Sequence, residues 1–395
     1  MVRVTAYCFT APIRGQCPKT SIELSQQKLV AHGVFSNVYS ARLKCAEIGV
    51  NNAVVAIKKT WSKCSEDTSE IEIYKLLQRD RQHRQILELK FYFKTVIDAA
   101  DEPVCHQLVF DLMECNVNEL LLDYRKRHDR PAPLLARVWA YQMLLALDFL
   151  DQLQICHRDV KPDNLLLDKE TAQLKLGDFG SACLITDDDR QHTPYRVTRF
   201  YRAPEMLLGS VHYSHRIDWW AAACVIYEML TAHRLFAQPD PIRQYYKIHK
   251  SLGKPTAQNL ADMRVPEHRQ KKIIVRFSAV PPRPWKEVVS GLDHDEPAQQ
   301  LLKLMLVYSP QQRLSPRDAT QHSFFQPLLA GDAQLPNGRS IPLTKSELNL
   351  SCDEYETEES LQTAHGSVAP ETDADELEES DDEDDDDGEE EDGPD

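Results

Sequence analysis

The chain should fold as two lobes of α+β character, a β-rich amino-terminal lobe carrying one helix and a mainly helical carboxy-terminal lobe. Three observations predict this. Short β-branched and apolar runs crowd the first 110 residues, long apolar helical runs follow, and two short β-like pieces interrupt the helical part and bracket its polar segments. A chain of 395 residues with 42% hydrophobic and 27% charged residues can bury sizeable cores, which excludes collagen-like and wholly disordered readings.

In chain order, apolar and β-branched content predicts strands over 29–31, 38–43, 53–59, 91–97 and 107–110. Between the third and fourth, 66–78 reads as a helix, with Ile71, Tyr74 and Leu77 at spacing three and acids at its start, where the helix dipole favours them. After Glu114 the texture changes to apolar helices over 134–153, which follows Pro131 and Pro133, and 217–230. The β-like pieces are 164–168 and 173–176. The seam between the lobes falls near 112–115, and clefts at such seams commonly hold ligands. The expected organisation is an amino-terminal extension over 1–23, a two-lobed domain over 24–326 divided into lobes of about 24–112 and 113–326, an extension over 327–350 packing on the helical lobe, and a disordered acidic tail over 351–395.

The net charge of −16 is unevenly distributed. All 46 Lys and Arg residues precede residue 351, whereas 23 of the 62 Asp and Glu residues follow residue 350, so the body carries about +7 and the tail −23. Such a like-charge block repels itself and has little apolar surface to bury. It is either a solubilising extension or an interaction segment, and docking on the basic body would be salt-dependent. No nucleic-acid recognition motif accompanies the mildly basic body, so specific nucleic-acid binding is not expected. The ten cysteines form no C-x-x-C pair and fit free thiols in a reducing compartment. The amino terminus makes a poor signal peptide, and the apolar run 219–230 is too short to cross a bilayer, so no membrane association is expected. A monomer in the cytoplasm, with nuclear access left open, is the default.

The string HRDVKPDNLLL over 157–167, followed by GDFG over 177–180, holds the chemistry. His157, Arg158, Asp159, Lys161 and Asn164, then Asp178, Phe179 and Gly180, resemble the catalytic-loop and metal-loop signatures of protein kinases. The resemblance implies a bilobal protein-kinase fold and phosphoryl transfer with ATP and Mg2+ as cofactors. Hard oxygen donors such as the Asp178 carboxylate and the Asn164 amide suit magnesium. Asp159 is the candidate acceptor of the hydroxyl proton, and Lys161 places positive charge beside the transferring phosphoryl group. Upstream, VVAIKK puts Lys58 at a strand end and Glu70 twelve residues later on the expected helix, matching the family's lysine and helix-glutamate pair. Downstream, TRFYRAPE over 198–205, Asp218 and Arg313 match positions where Glu205 pairs with Arg313 and Asp218 braces the catalytic loop; these are structural roles.

Over 29–348 the chain further resembles the glycogen synthase kinase 3 family of Ser/Thr protein kinases. The strings are VVAIKK, ICHRDVKPDNLLLD, LKLGDFGSAC, TRFYRAPEMLLGS, HSFF at 322–325 and LPNGR at 335–339. The resemblance implies ATP contacts from Val30, Gly33, Val38, Ala56, Lys58 and Glu70, a bulky gatekeeper at Phe110, and adenine held by backbone at Asp111 and Met113. It also implies an autophosphorylated activation-loop tyrosine at Tyr195, protein substrates, and scaffold or regulatory proteins on the helical lobe. Three departures limit the carry-over. The glycine loop reads AHGVFSNV, so only Gly33 survives while Ala31 and Ser36 occupy glycine positions, and weaker ATP binding is expected. Ser69 and Cys183 replace two of the three basic residues that would hold a substrate's priming phosphate, leaving Arg158. Ser21 and Ser25 lack the arginines of the family's inhibitory amino-terminal motif. The leading reading is an active Ser/Thr kinase with reduced dependence on priming. The alternative is a catalytically weak, pseudokinase-like binding scaffold.

Overall fold

Alternation of small and branched apolar residues rolls the first third of the chain into a closed antiparallel barrel. In the computed structural model, which describes residues 1–10, 17–33, 36–62, 67–79, 82–95, 104–185, 198–270, 281–329 and 333–348, six strands build it: β1 (Val2–Cys8), β2 (Lys19–His32), β3 (Ser36–Cys45), β4 (Val50–Ser62), β5 (Leu89–Thr95) and β6 (Val104–Asp111). Their order around the barrel is β1-β2-β3-β4-β6-β5. Every second residue points inward, so Ile22 and Leu24, Ala41 and Leu43, and Val55 and Ile57 meet Phe91 and Val109 in a core of their own.

Two expectations change here. Five strands were expected and the described residues build six. Residues 1–23, expected as an extension, instead supply β1 and the start of β2, because Ala6 and Cys8 face inward and β1 pairs with both β2 and β5. The strand expected over 29–31 is the end of a much longer one. Its register shifts between Ser25 and Lys28 and again between Leu29 and Ala31, and from there the β2–β3 hairpin runs out as an exposed lip.

The helix expected over 66–78 is α1 (Ser69–Leu77). Its Ile71, Tyr74 and Leu77 join the second, larger core, which also takes Leu108 and Phe110 and runs through Phe179 to Phe324 and Phe325. The strand-rich part therefore donates one helix and one barrel face to the helical part, so the hydrophobic division does not coincide with the chain seam. In the helical part, α2 (Val117–Lys126) starts at a reciprocal cap between Asn116 and Glu119. The expected helices 134–153 and 217–230 are α3 (Pro133–Gln152) and α5 (Arg216–Thr231), with the one-turn α4 (Pro204–Leu207) between them. Helix α3 is long and apolar enough to cross a membrane by composition, but most of it is buried within the protein. Strands β9 (Leu165–Leu167) and β10 (Leu174–Leu176) form the expected hairpin, joined at its edge by β7 (Cys115–Asn116), while β8 (Ile155–Cys156) pairs with β11 (Cys183–Leu184). The acidic tail and Tyr195 lie outside the described residues.

Candidate active site

Strand β4 carries Lys58 inward beneath the hairpin lip, with Val38 as its cross-strand partner on β3 and Leu108 on β6. Its ammonium lies 2.7 and 2.8 Å from the two Glu70 oxygens of α1 and 2.7 Å from Asp178 Oδ1. Burial alone would favour the neutral amine, but the two carboxylates outweigh it and hold the Lys58 pKa above its ordinary value. Burial likewise opposes ionisation of Asp178, yet Lys58 overrides it and lowers the Asp178 pKa. At Glu70 burial prevails and the pKa rises. Asp178 sits at φ +60°, a left-handed backbone that Asp tolerates better than most residues, and its side chain is half exposed. The next residue, Phe179, is fully buried, in an aromatic column that runs from Phe110 to Tyr74 (5.4 Å), Phe179 (5.3 Å) and His157 (4.9 Å).

The catalytic loop is held from below. Asp218, at the start of α5, accepts the backbone amides of His157 (2.7 Å) and Arg158 (3.0 Å), and His157 Nε2 meets the Gly177 carbonyl at 3.0 Å. This fixes Asp159, whose Oδ2 receives Lys161 Nζ at 2.6 Å and Asn164 Nδ2 at 3.1 Å. Its Oδ1 receives the Thr198 hydroxyl at 2.8 Å. Asn164 also donates to the Asp159 carbonyl, and its own carbonyl takes the Gly177 amide at 2.9 Å, which ties the two polar loops together. Glu205 and Arg313 form the expected pair, with two contacts of 2.7 and 2.6 Å and almost no exposure.

The residues expected to face a nucleotide differ in how closed they are. Ala56 pairs with Phe110 across β4 and β6, and Phe110 is buried against Tyr74. Asp111 ends β6 opposite Val55 with its carboxylate 2.9 Å from Lys90, and Met113 is half-buried. Val30 is 56% exposed on the hairpin lip. Gly33 donates to the Ser36 carbonyl at 2.9 Å, and a Cβ there would lie 3.0 Å from the same oxygen, so a side chain would fit only if that backbone gave way by a few tenths of an ångström. Arg158 is buried and donates to the backbone carbonyls of Ser181 and Ala182; Ser69 opens α1, and Cys183 lies opposite Cys156.

A family model, protein kinase domain, matches residues 24–325. The chain belongs to the protein kinase family. Its kinase domain accordingly implies the bilobal kinase fold, protein substrates, and the ATP and Mg2+ that the family generally uses. The residues present fit that pair: the half-exposed Asp178 carboxylate and the Asn164 amide are hard oxygen donors of the kind magnesium takes, and Lys58 supplies the positive charge that phosphates need.

Two residues of this kinase domain escaped the sequence reading. Thr198 stood at the head of a quoted string, but its hydroxyl contact to Asp159 depends on folding. Asp67 is in sequence only one of the acids at the start of the expected helix 66–78. Its carboxylate joins α1 to β5, accepting from Lys75 at 2.7 Å, Lys94 at 2.9 Å and the Tyr92 hydroxyl at 3.1 Å. Partial burial pushes its pKa up, but Lys75 and Lys94 outweigh this and hold it down at about 2. A carboxylate depressed on folding contributes stability above its unfolded pKa of about 3.9 and loses it as pH falls through the folded value. Asp67→Asn should therefore lower the melting temperature at pH 7. The gap between variant and wild type should shrink from pH 4 toward pH 2, where thermal melts would show it closing.

Proposed function

We propose that the chain is an ATP-dependent Ser/Thr protein kinase that transfers the γ-phosphate to protein hydroxyls with little dependence on a priming phosphate. The observation that carries this reading is the Lys58 ammonium held at once by Glu70 and Asp178, 2.7 Å from each, within reach of a half-exposed carboxylate. When bound, magnesium would neutralise charge on the phosphate oxygens. Asp178 and Asn164 would hold it, and Lys58 would orient the nucleotide's α and β phosphates. Asp159 would accept the proton of the incoming hydroxyl, with Lys161 and Thr198 fixing its two oxygens. Lys161 would also offset charge on the transferring group.

The low dependence on priming follows from Ser69 and Cys183, which carry no charge. Two missing charge-assisted contacts at roughly 1.5–3 kcal/mol each would largely remove recognition of a prephosphorylated substrate. Arg158, the remaining basic residue, already spends guanidinium donors on Ser181 and Ala182. We further propose Tyr195 as an activation-loop phosphosite, since Arg196, Arg199 and Arg202 lie close in sequence. We place the kinase in a reducing, cytoplasmic setting as a monomer, in keeping with its free cysteines. A second reading, a binding scaffold, is favoured by the single glycine left in the phosphate-covering hairpin.

A magnesium-ATP assay on acidic, basic and prephosphorylated acceptor proteins separates the two. Wild type should phosphorylate Ser or Thr, Asp178→Asn should not, and priming should give less than about a threefold advantage, well short of what two charge-assisted contacts would supply. Equal, negligible transfer by wild type and Asp178→Asn would establish the scaffold instead.

A further inference from the structure

The segment after LPNGR touches α3, where the Tyr141 hydroxyl donates to the Glu347 carbonyl at 2.7 Å. Its side chain reaches elsewhere. The Glu347 carboxylate takes Arg84 Nη1 at 2.8 Å and Gln85 Nε2 at 2.9 Å, both from the connection between α1 and β5. It is itself fixed by a reciprocal turn: it accepts the Thr344 amide at 2.7 Å and hydroxyl at 2.9 Å, while the Thr344 hydroxyl oxygen accepts the Glu347 amide at 3.1 Å. Leu348 is buried behind it.

Gln85 is the relay. It is 1% exposed, and its backbone carbonyl accepts the Leu176 amide at 2.7 Å, while the Leu87 amide returns a bond to the Leu176 carbonyl at 2.9 Å. Leu176 ends β10 and stands two residues before Asp178. Between them is Gly177, where a Cβ would meet Leu87 and Leu166 side chains at 3.3 Å, so the loop runs close over the same connection. Two consecutive hydrogen bonds thus join Glu347 to the strand that launches the metal-binding aspartate.

We infer that Glu347 is a positioning residue: the carboxy-terminal segment clasps the α1–β5 connection, the connection holds β10, and β10 sets where Asp178 stands. The inference rests on the phosphotransfer reading for its kinetic consequence, but its structural half is independent of activity. The Arg84 contact is exposed, so placement is transmitted through the part-buried, charge-assisted bond to Gln85, whose own side chain is buried and is left without a partner when Glu347 is removed.

The test uses the full chain with Glu347→Ala, Glu347→Gln, Gln85→Met, and the double variant Glu347→Ala/Gln85→Met. Hydrogen exchange without nucleotide should show the amides of residues 174–180 exchanging about tenfold faster in Glu347→Ala, with Glu347→Gln intermediate because it keeps one acceptor oxygen. The magnesium concentration for half-maximal transfer should rise by about threefold to tenfold while the acceptor-protein KM stays unchanged, and the double variant should be no worse than the single ones, as coupled partners require. A chain ending after residue 350 keeps the clasp and should match wild type in both measurements. Unchanged exchange over 174–180 in Glu347→Ala overturns the inference even if wild type proves inactive, and so does a fall in kcat or melting temperature with an unaltered magnesium requirement. Should Glu347→Ala fail to fold, Gln85→Met carries the same expectations, since it keeps the backbone carbonyl and removes only the contact to Glu347.

Discussion

An Asp159→Asn chain is expected to transfer phosphate about 10²–10⁴-fold more slowly than wild type, the range a positioned general base supplies. The asparagine amide takes no proton, and its NH2 group would confront donors, because Lys161 and Asn164 converge on Oδ2 and Thr198 on Oδ1. The loss should fall on kcat, with the ATP KM changed by less than about threefold, since Asp159 makes no contact with the Lys58 cluster that would hold the nucleotide. Single-turnover measurements with magnesium and ATP would show it. A residual rate within tenfold of wild type would mean that the hydroxyl loses its proton elsewhere.

Replacing Arg313 by alanine should destabilise the protein by roughly 3–5 kcal/mol, the cost of leaving a buried charge unpaired. Its guanidinium makes two contacts to Glu205 and also donates to the carbonyls of Val307, Arg216 and Tyr308, while its face lies 5.3 Å from the Trp220 ring centre. Truncation would strand a carboxylate and three carbonyls together. Urea unfolding at constant m-value would give the shift directly. Joint replacement of Arg313 and Glu205 by leucine should cost less than the single change, because no charge is then left alone. A loss under about 1 kcal/mol for Arg313→Ala would show that water reaches Glu205.

The chemistry was legible because it depends on short, fixed spacings. Asp159, Lys161 and Asn164 sit within six residues of one another, and the structure brings Lys58 to the expected contact with Glu70 while adding one to Asp178. Helices α3 and α5 were legible for a different reason: their apolar runs are long enough to leave no other reading. Strand β1 was not, since its buried face is carried by the small Ala6 and Cys8 and its second partner, β5, is remote in sequence. Asp67, Thr198 and Glu347 were hidden by the same physics. Each is an ordinary polar residue whose meaning comes only from the partners that folding delivers.

Strand β1 also decides how the chain can be shortened. It is zipped to β2 across six residue pairs and to β5 across two, and it is the piece that leaves the barrel with no open rim. A version trimmed to the 24–325 match would discard it together with residues 19–23 of β2, baring unpaired amides and carbonyls on two neighbouring strands. Such a fragment would keep the residues proposed to hold phosphate and is still expected to stick to copies of itself along the bared edges.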